Sequence, residues 1–518
     1  MTDRPLPEIR RATRNTLGDA LSRSVRKNPT KEALIFGQRR WTYQALDQAA
    51  NRVAHGLLQR GLRRGDRVAA YGKNSDAYVL LWLGCLRAGL IHVPINYALT
   101  EGELEYIVSQ SGAAALFHDG AIAEHVAHIR PRIACLLIGT LHGGAGLDIL
   151  ALAEGAGHDQ APELELDEGD VVQILYTSGT TANPKGAMMT HRSLQAEYLS
   201  AIVAAEIRAG DRSVASLPLY HSAQMHVFLM PQLLMGATTL IIPAPLPKAC
   251  FELIEREGVT SFFAPPTVWI SLLRHPGFDQ HDLGSLQKGY YGASIMPLPV
   301  LEELQQRLPG VRLFNCYGQS EIAPLATVLS PEDHARCPAS AGRPVLNVET
   351  RVVNERMEDQ PPGEMGEIIH RSPQAMIGYW EKPEQTEEAF QGGWFHSGDV
   401  GYFDAEGFLY VVDRIKDVIN TGGVVVSSRE VEECLYTHPA TAEVAVIALP
   451  DEKWIEAVTA VVTLKAGQHA SPEDLIAHAK AHLAHFKVPK QVFIVDQLPR
   501  NTAGKLLKRE LRKQYAPS

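Results

Sequence analysis

Short apolar runs alternate with helical patterns through most of the chain. Residues 67–72 (RVAAYG) predict a strand, and 74–89 (NSDAYVLLWLGCLRAG) a helix with Asn74 or Ser75 as its cap. The continuous apolar run VVQILY (171–176) predicts a strand buried on both faces. A polar, Gly-rich loop follows it, and another helix begins near Thr190. Residues 227–247 are apolar enough to raise the question of a membrane span, but Pro231, Gln232, Gly236, Pro243 and Pro245 interrupt the run. A buried helix followed by a buried strand is expected there. This alternation is that of an α/β fold. Near residue 412 the character changes. FLYVV (408–412) predicts a strand and DRIKD (413–417) a charged break. Strands follow at 444–449 and 458–464, then a helix opened by Ser471-Pro472-Glu473-Asp474, a Ser-x-x-Asp start with proline at the first helical position. The expected organisation is a large N-terminal domain of mixed sheets and flanking helices (1–412), a hinge (413–417) and a small α+β C-terminal domain (418–518).

Composition narrows the class without naming a function. The 518 residues suggest roughly two to four domains at about 150 residues each. Hydrophobic residues make up 45% and charged residues 21%, which rules out wholesale disorder. A net charge of −10 weighs against a general nucleic-acid binder. The six cysteines are scattered with no CxxC pair, so neither a structural zinc site nor a disulfide framework is expected, and buried free thiols in a reducing compartment are. The N-terminus, MTDRPLPEIRRATRN, has charges and prolines where a signal peptide needs an apolar centre. A cytoplasmic location with no transmembrane segment is the expectation.

The chemistry concentrates in YTSGTTANPKGA (176–187), directly after the buried strand. Thr177, Ser178, Thr180 and Thr181 supply hydroxyls, Gly179 and Gly186 allow close backbone approach to anionic oxygens, and Lys185 supplies a positive charge. This is a polyphosphate cradle by composition. It is not a Walker A loop, because Pro184 stands where that motif needs glycine and no Ser or Thr follows Lys185.

The loop resembles the signature of the adenylate-forming superfamily, which contains acyl- and aryl-CoA synthetases, adenylation domains of peptide synthetases and luciferases. Further motifs of that superfamily occur in order: WTYQAL (41–46), LRAGLIHVPIN (86–96), LPLYH (217–221), YGAS (291–294), YGQSE (317–321), GEMGEI with GYW (363–380), WFHSGDVGYFDAEGFLYVVDRIKD (394–417) and PRNTAGKLLKRELR (499–512). The resemblance spans nearly the whole chain and implies ATP, Mg²⁺ and CoA as ligands, a small carboxylic acid as substrate, and a mobile C-terminal domain. It implies that Glu321, with Thr177, supports Mg²⁺, a hard cation that takes oxygen ligands. Tyr317 and Gly318 would sit against adenine, with Gly292, Ala293 and Ser294 as the opposing wall. Ser320, where the family usually has threonine, would contact the α-phosphate. Asp399 would accept both ribose hydroxyls, and Arg414 would lie near ribose and phosphate. Lys505 would offset the charge repulsion as a carboxylate approaches the α-phosphorus. From Phe486 to Ser518 eight Lys/Arg face two Asp/Glu, a basic tail in an acidic protein.

The resemblance also implies two half-reactions, adenylation and transfer to a thiol, performed by turning the C-terminal domain about Lys416. LPLYH contains no aspartate to hold a substrate ammonium, which disfavours an α-amino acid. No downstream carrier domain is recognised, so a free-standing CoA ligase for a fatty or related hydrophobic acid is favoured. An acyl-AMP ligase serving a carrier protein and an aryl-CoA ligase stay open, as does a homodimer. A luciferase-type oxygenase has no positive sign in the sequence, and intact Lys185, Glu321, Asp399 and Lys505 argue against a non-catalytic relative. His221 would gate the path between acyl site and thiol, and Phe262, Phe263, Val268 and Trp269 are candidates for the acyl wall. For CoA the candidates are Gly422, Gly423, Trp454, Phe486, Lys487, Lys490 and Arg87. Val424-Val425 and Ala182 depart from the family's usual Glu-Asn and Gly.

Overall fold

The apolar run after residue 170 forms a strand, Val171–Thr177, and its neighbours define the first layer of the molecule. In the computed structural model, which describes residues 7–144, 146–177, 183–294, 296–414, 417–421, 424–451, 454–501 and 506–516, this strand lies in a six-stranded sheet. The order is Leu137–Thr140, Ala113–His118, Arg67–Tyr71, Ile91–Ile95, Val171–Thr177, Lys185–Thr190. The first five strands run parallel. The sixth returns antiparallel, with Tyr176 opposite Gly186 and Thr177 opposite Lys185. The polar loop expected to lead straight into a helix is therefore the connection of a hairpin. Gly186 has a packing role in it: a Cβ there would lie 2.5 Å from Ile174 Cγ2. The following helix, His191–Ala204, starts where expected and is capped by Thr190.

The helix expected at 74–89 spans Asp76–Ala88, and every residue in it is buried. A helix apolar on all sides needs other elements around it. Ser75 is its cap, its hydroxyl accepting from Tyr78 N at 3.1 Å. Asn74 has another task. Its amide donates to the carbonyl of Leu217 (2.8 Å) and accepts from Leu219 N (2.8 Å), pinning the LPLYH segment.

A nine-stranded sheet forms the second layer. Its six inner strands, Arg312–Tyr317, Lys288–Gly292, Ser261–Phe263, Arg212–Ala215, Thr238–Ile241 and Glu32–Phe36, are parallel neighbours. The apolar stretch at 227–247 supplies a π-helix (Ala223–Leu229), a helix (Met230–Met235) and the wholly buried strand Thr238–Ile241. No described helix is long and apolar enough to cross a membrane. A third, antiparallel sheet contains Glu349–Val353, Gly366–Arg371, Phe395–Phe403 and Leu409–Arg414.

The strands from residue 419 onward form a sheet of their own. Val424–Val426, Ile419–Thr421, Ile455–Leu464 and Thr441–Asp451 are neighbours in that order, and Gln491–Ile494 pairs alongside Ile455–Leu464. Helices Ser428–Tyr436, Pro472–His482 and Lys508–Tyr515 belong to this unit. Ser471 and Asp474 make the reciprocal capping box that the sequence predicts. The architecture is thus mixed α/β, a large N-terminal part of several sheets with a smaller C-terminal part. The six cysteines are free thiols, Cys135 half-buried and the others buried.

Candidate active site

Three sheets bring their ends together at one place. Thr177 closes its strand in the six-stranded sheet, and its hydroxyl donates to Glu321 Oε1 at 3.0 Å. Glu321 lies just after strand Arg312–Tyr317 of the nine-stranded sheet. Tyr379, on the segment leading to the third sheet's Phe395–Phe403 strand, donates its hydroxyl to the same Oε1 at 3.1 Å. Burial and the adjacent Glu321 carboxylate push the Tyr379 phenol far above its ordinary pKa, so it stays a proton donor. Lys185 Nζ stands 5.1 Å from the centre of the Tyr379 ring, a cation–π distance. One carboxylate, two hydroxyls and one ammonium therefore surround the place where the polar loop leaves the sheet. Residues Ser178, Gly179, Thr180 and Thr181 of that loop lie outside the described residues.

The backbone after Tyr317 explains the Tyr-Gly pair. Gly318 has φ +155°, and a Cβ there would lie 1.9 Å from the carbonyl oxygen of Pro324. Only glycine lets the chain fold back closely enough for Ala326 N to reach Tyr317 O at 2.8 Å. Tyr317 donates its hydroxyl to Asp399 Oδ2 at 2.8 Å, and Gln319 Nε2 reaches the same oxygen at 2.7 Å. Arg414 Nε approaches Asp399 Oδ1 at 3.3 Å from a half-exposed side chain. Asp399 is 5% exposed, so it is a buried carboxylate held by two neutral donors and one cation. Tyr317 is held far above its usual pKa by burial and then by Asp399.

On the parallel strand beside it, Gly292 faces Cys316, and a Cβ would meet the Cys316 carbonyl at 2.2 Å. Ala293 and Ser294 continue into the exposed rim next to Tyr317, Ala293 at φ +63°. This rim lies off the carboxyl ends of parallel strands, where open α/β sheets bind ligands. Ser320 Oγ and Ser222 Oγ are 2.8 Å apart, which brings the end of the LPLYH segment to the same place. His221 follows a tight turn, its N–H donating to Pro218 O at 3.0 Å, and its Nδ1 accepts from Ala223 N at 3.3 Å. Chemically, the cluster offers oxygen ligands for a hard cation, a lysine for phosphate, and a buried carboxylate flanked by an aromatic ring.

Comparison with known proteins agrees in kind. Residues 21–380 match the model of the AMP-binding enzyme family, and residues 430–505 match the AMP-binding enzyme C-terminal domain. The chain belongs to the AMP-binding enzyme family. It is a member of the adenylate-forming superfamily that its motifs resemble. Among its relatives, a feruloyl-CoA synthase from Amycolatopsis sp. is 36% identical over 499 residues, covering 96% of this chain and 99% of that protein. A fatty acid–[acyl-carrier-protein] ligase, ScoC, from Streptomyces coeruleorubidus is 34% identical over 96% of each chain. The crystal structure of the anthranilate CoA ligase AuaEII with anthranoyl-AMP superposes with a TM-score of 0.92 at 27% identity, covering 99% of this chain and 98% of that one.

In this AMP-binding enzyme the remaining candidates fall into three groups. Some are brought together: Lys490 Nζ lies 4.6 Å over the Trp454 ring, and Lys487 Nζ lies 5.7 Å from the Phe486 ring while pairing with Glu430 at 2.5 Å. Lys505, Lys416, Gly422 and Gly423 lie outside the described residues. Arg87 is a correction. It is 7% exposed on the buried helix, donates to Ser22 Oγ at 2.9 Å and pairs with Asp47, so it is an inward-facing arginine and not one presented at the surface to a CoA phosphate. Its position after LWLGCL, inside an all-buried helix, was the signal for a structural arginine.

Two candidates for the acyl wall are also core residues. Phe262 packs edge-on against Trp269 at 5.2 Å within one buried cluster, and Trp269 donates to Tyr290 O at 3.1 Å. The basic tail is partly neutralised within the C-terminal unit. Lys508 pairs with Glu432 at 2.9 Å, and Arg512 pairs with Asp417. Glu432, with Asp413 and the hydrogen bond to Glu432, holds the Lys508 ammonium above its ordinary pKa despite burial, which opposes it as the largest single influence. Sequence reasoning missed Gln319, Tyr379 and Ser222. Each sits inside or beside a recognised motif, but only the fold reveals which carboxylate or hydroxyl it meets.

Proposed function

We propose that the protein is an AMP-forming acid–thiol ligase that converts a hydrophobic carboxylic acid, ATP and CoA into acyl-CoA, AMP and pyrophosphate. The observation that carries this reading is the convergence of Thr177 and Tyr379 on Glu321, with Lys185 over the Tyr379 ring, beside the buried Tyr317–Asp399 pair. Asp399 accepts the ribose hydroxyls, exchanging its bonds to Tyr317 and Gln319 for those of the nucleotide. Tyr317 and the Gly292–Ser294 rim flank adenine. Lys185 and the 178–182 hydroxyls hold the phosphates.

Glu321 and Thr177 fit a hard cation. Both are oxygen donors, and both hydroxyl bonds to the carboxylate fall on Oε1. Mg²⁺ bound there supplies charge neutralisation for the leaving pyrophosphate. Lys505, by the family resemblance, would offset the charge repulsion as the substrate carboxylate approaches the α-phosphorus. In the first step the carboxylate oxygen bonds to the α-phosphorus and the bond to pyrophosphate breaks. In the second the thiol sulfur, losing its proton, attacks the acyl carbon and AMP leaves. The division at 413–417, with Lys416 as the pivot, carries Lys505 away and brings Gly422, Gly423, Trp454 and Lys490 to CoA. His221, next to the Ser222–Ser320 contact, gates the acyl group.

A carrier protein as acceptor is the second reading, favoured by the 34% identity to ScoC. The test is pyrophosphate release and product mass with alkyl and aryl acids, in the presence of CoA, phosphopantetheinyl carrier protein, or neither. Acyl-CoA from a hydrophobic acid is expected. Acyl-AMP that accumulates with CoA present, and is discharged only by carrier protein, would overturn the choice of CoA.

A further inference from the structure

The C-terminal unit contains a cluster that the nucleotide site does not use. Cys434 lies on helix Ser428–Tyr436, and His478 and His482 lie one turn apart on helix Pro472–His482. One ligand atom from each residue falls within 4.8 Å of the others. The i,i+4 spacing sets both imidazoles on one helix face, and the second helix presents the sulfur to them. Cys434 is 9% exposed, and His482 is at the surface, so the cluster has a protected side and an open side.

Hydrogen bonds fix which ring nitrogens are free. His482 Nδ1 lies 2.8 Å from the carbonyl of His478, an acceptor only, so this nitrogen carries the proton and Nε2 keeps its lone pair. Thr437 Oγ1 donates to Cys434 O at 2.6 Å, so it accepts from His478 Nε2 at 2.8 Å. His478 Nδ1 is then the lone-pair nitrogen. Imidazoles that donate one N–H to a backbone carbonyl or hydroxyl while offering the other nitrogen are arranged as metal-binding histidines are. His438 packs edge-on against His478 at 5.2 Å, but its Nδ1 accepts from Ala440 N at 3.3 Å, so it is a neighbour and not a ligand.

We propose that Cys434, His478 and His482 form a binding site for a borderline-soft divalent transition-metal ion, zinc by its thiolate and imidazole donors, with a fourth position open to water. Tetrahedral zinc places its ligand atoms roughly 3.3–3.7 Å apart, so the three groups close by about 1 Å on binding. Forming the metal–sulfur bond releases the Cys434 thiol proton to solvent, while each imidazole contributes a lone pair without changing its proton count. The ion would clamp together two helices of the C-terminal unit. Sequence spacing could not reveal this site, because its ligands come from helices 44 residues apart.

The test uses full-length, untagged, chelator-treated protein titrated with Co²⁺ and then Zn²⁺. One equivalent of Co²⁺ should give a thiolate-to-cobalt charge-transfer band and tetrahedral visible bands, which Zn²⁺ then abolishes. Zn²⁺ should also raise the melting temperature. Cys434→Ser should lose the charge-transfer band, and His482→Gln should weaken binding by about 100-fold. His485→Gln, outside the cluster, should bind as the unaltered protein does. Cobalt bound without the thiolate band, or His482→Gln binding at full affinity, would overturn the site. His482 is exposed, so that variant decides the matter even if Cys434→Ser fails to fold.

Discussion

Glu321 Oε1 receives two hydroxyls, from Thr177 at 3.0 Å and Tyr379 at 3.1 Å, and the two can be removed separately. Thr177→Val keeps the side-chain shape. Tyr379→Phe keeps the ring that faces Lys185. A hydrogen bond to a charged group contributes about 1.5–3 kcal/mol. In either single variant the surviving hydroxyl still holds the carboxylate, so the loss should sit at the low end, about tenfold in kcat/KM for ATP–pyrophosphate exchange. In the double variant neither of these hydroxyls restrains that oxygen. The loss should exceed the roughly hundredfold product by about fivefold, a coupling of about 1 kcal/mol, within the range of contacting residues. Thiolysis of supplied acyl-AMP should change little. Strictly multiplicative losses would show that the hydroxyls do not share one carboxylate task. Equal losses in both half-reactions would place Glu321 outside the adenylation step.

Gly318→Ala should destabilise the protein by about 3 kcal/mol in urea unfolding, because the clash is with the Pro324 carbonyl and no flexible side chain can yield; a loss below about 1 kcal/mol would contradict the close approach. Burial lowers the His191 pKa from 6.5 to about 4, so between those pH values the unfolded chain binds the proton and the native state does not. Stability from this group is full above pH 6.5 and falls as pH drops towards 4, by at most about 3 kcal/mol; His191→Asn, which can still accept from Leu17 N, should flatten that part of the pH–stability curve, and an unchanged slope would rule His191 out as its source. Lys505→Ala should abolish most pyrophosphate exchange while sparing thiolysis of supplied acyl-AMP, read by single-turnover mixing; a parallel loss of both would remove Lys505 from its assigned step.

The legibility of the sequence differed between strands and contacts. Apolar runs such as VVQILY and VAVIAL became Val171–Thr177 and Thr441–Asp451 because buried strands need continuous apolar side chains. The Ser471 capping box was legible because it is local. Lys185–Thr190 was not read as a strand, since its pairing depends on a partner before the loop and its own pattern is short. Arg87 and Lys508 show the same limit for charge. Each looked available, yet a distant carboxylate, Asp47 or Glu432, had already engaged it. Gln319 and Tyr379 lay within recognised motifs, but a motif does not say that one will meet Asp399 and the other Glu321.

The same contacts that make up the candidate site also join the sheets. Thr177 to Glu321 ties the six-stranded sheet to the nine-stranded one, and Tyr317 to Asp399 ties the nine-stranded sheet to the third. Each junction is a carboxylate with hydroxyl donors, and a carboxylate has about four lone-pair positions to share between the protein and a ligand. Under the proposed function, a nucleotide or cation arriving there would meet carboxylates already held in place by their donors, with little reorganisation needed. The cost is that the free protein must hold Asp399 almost fully buried, which is tolerable only because Arg414, Tyr317 and Gln319 all remain in place. Substitution of these residues should therefore lower stability and adenylation together.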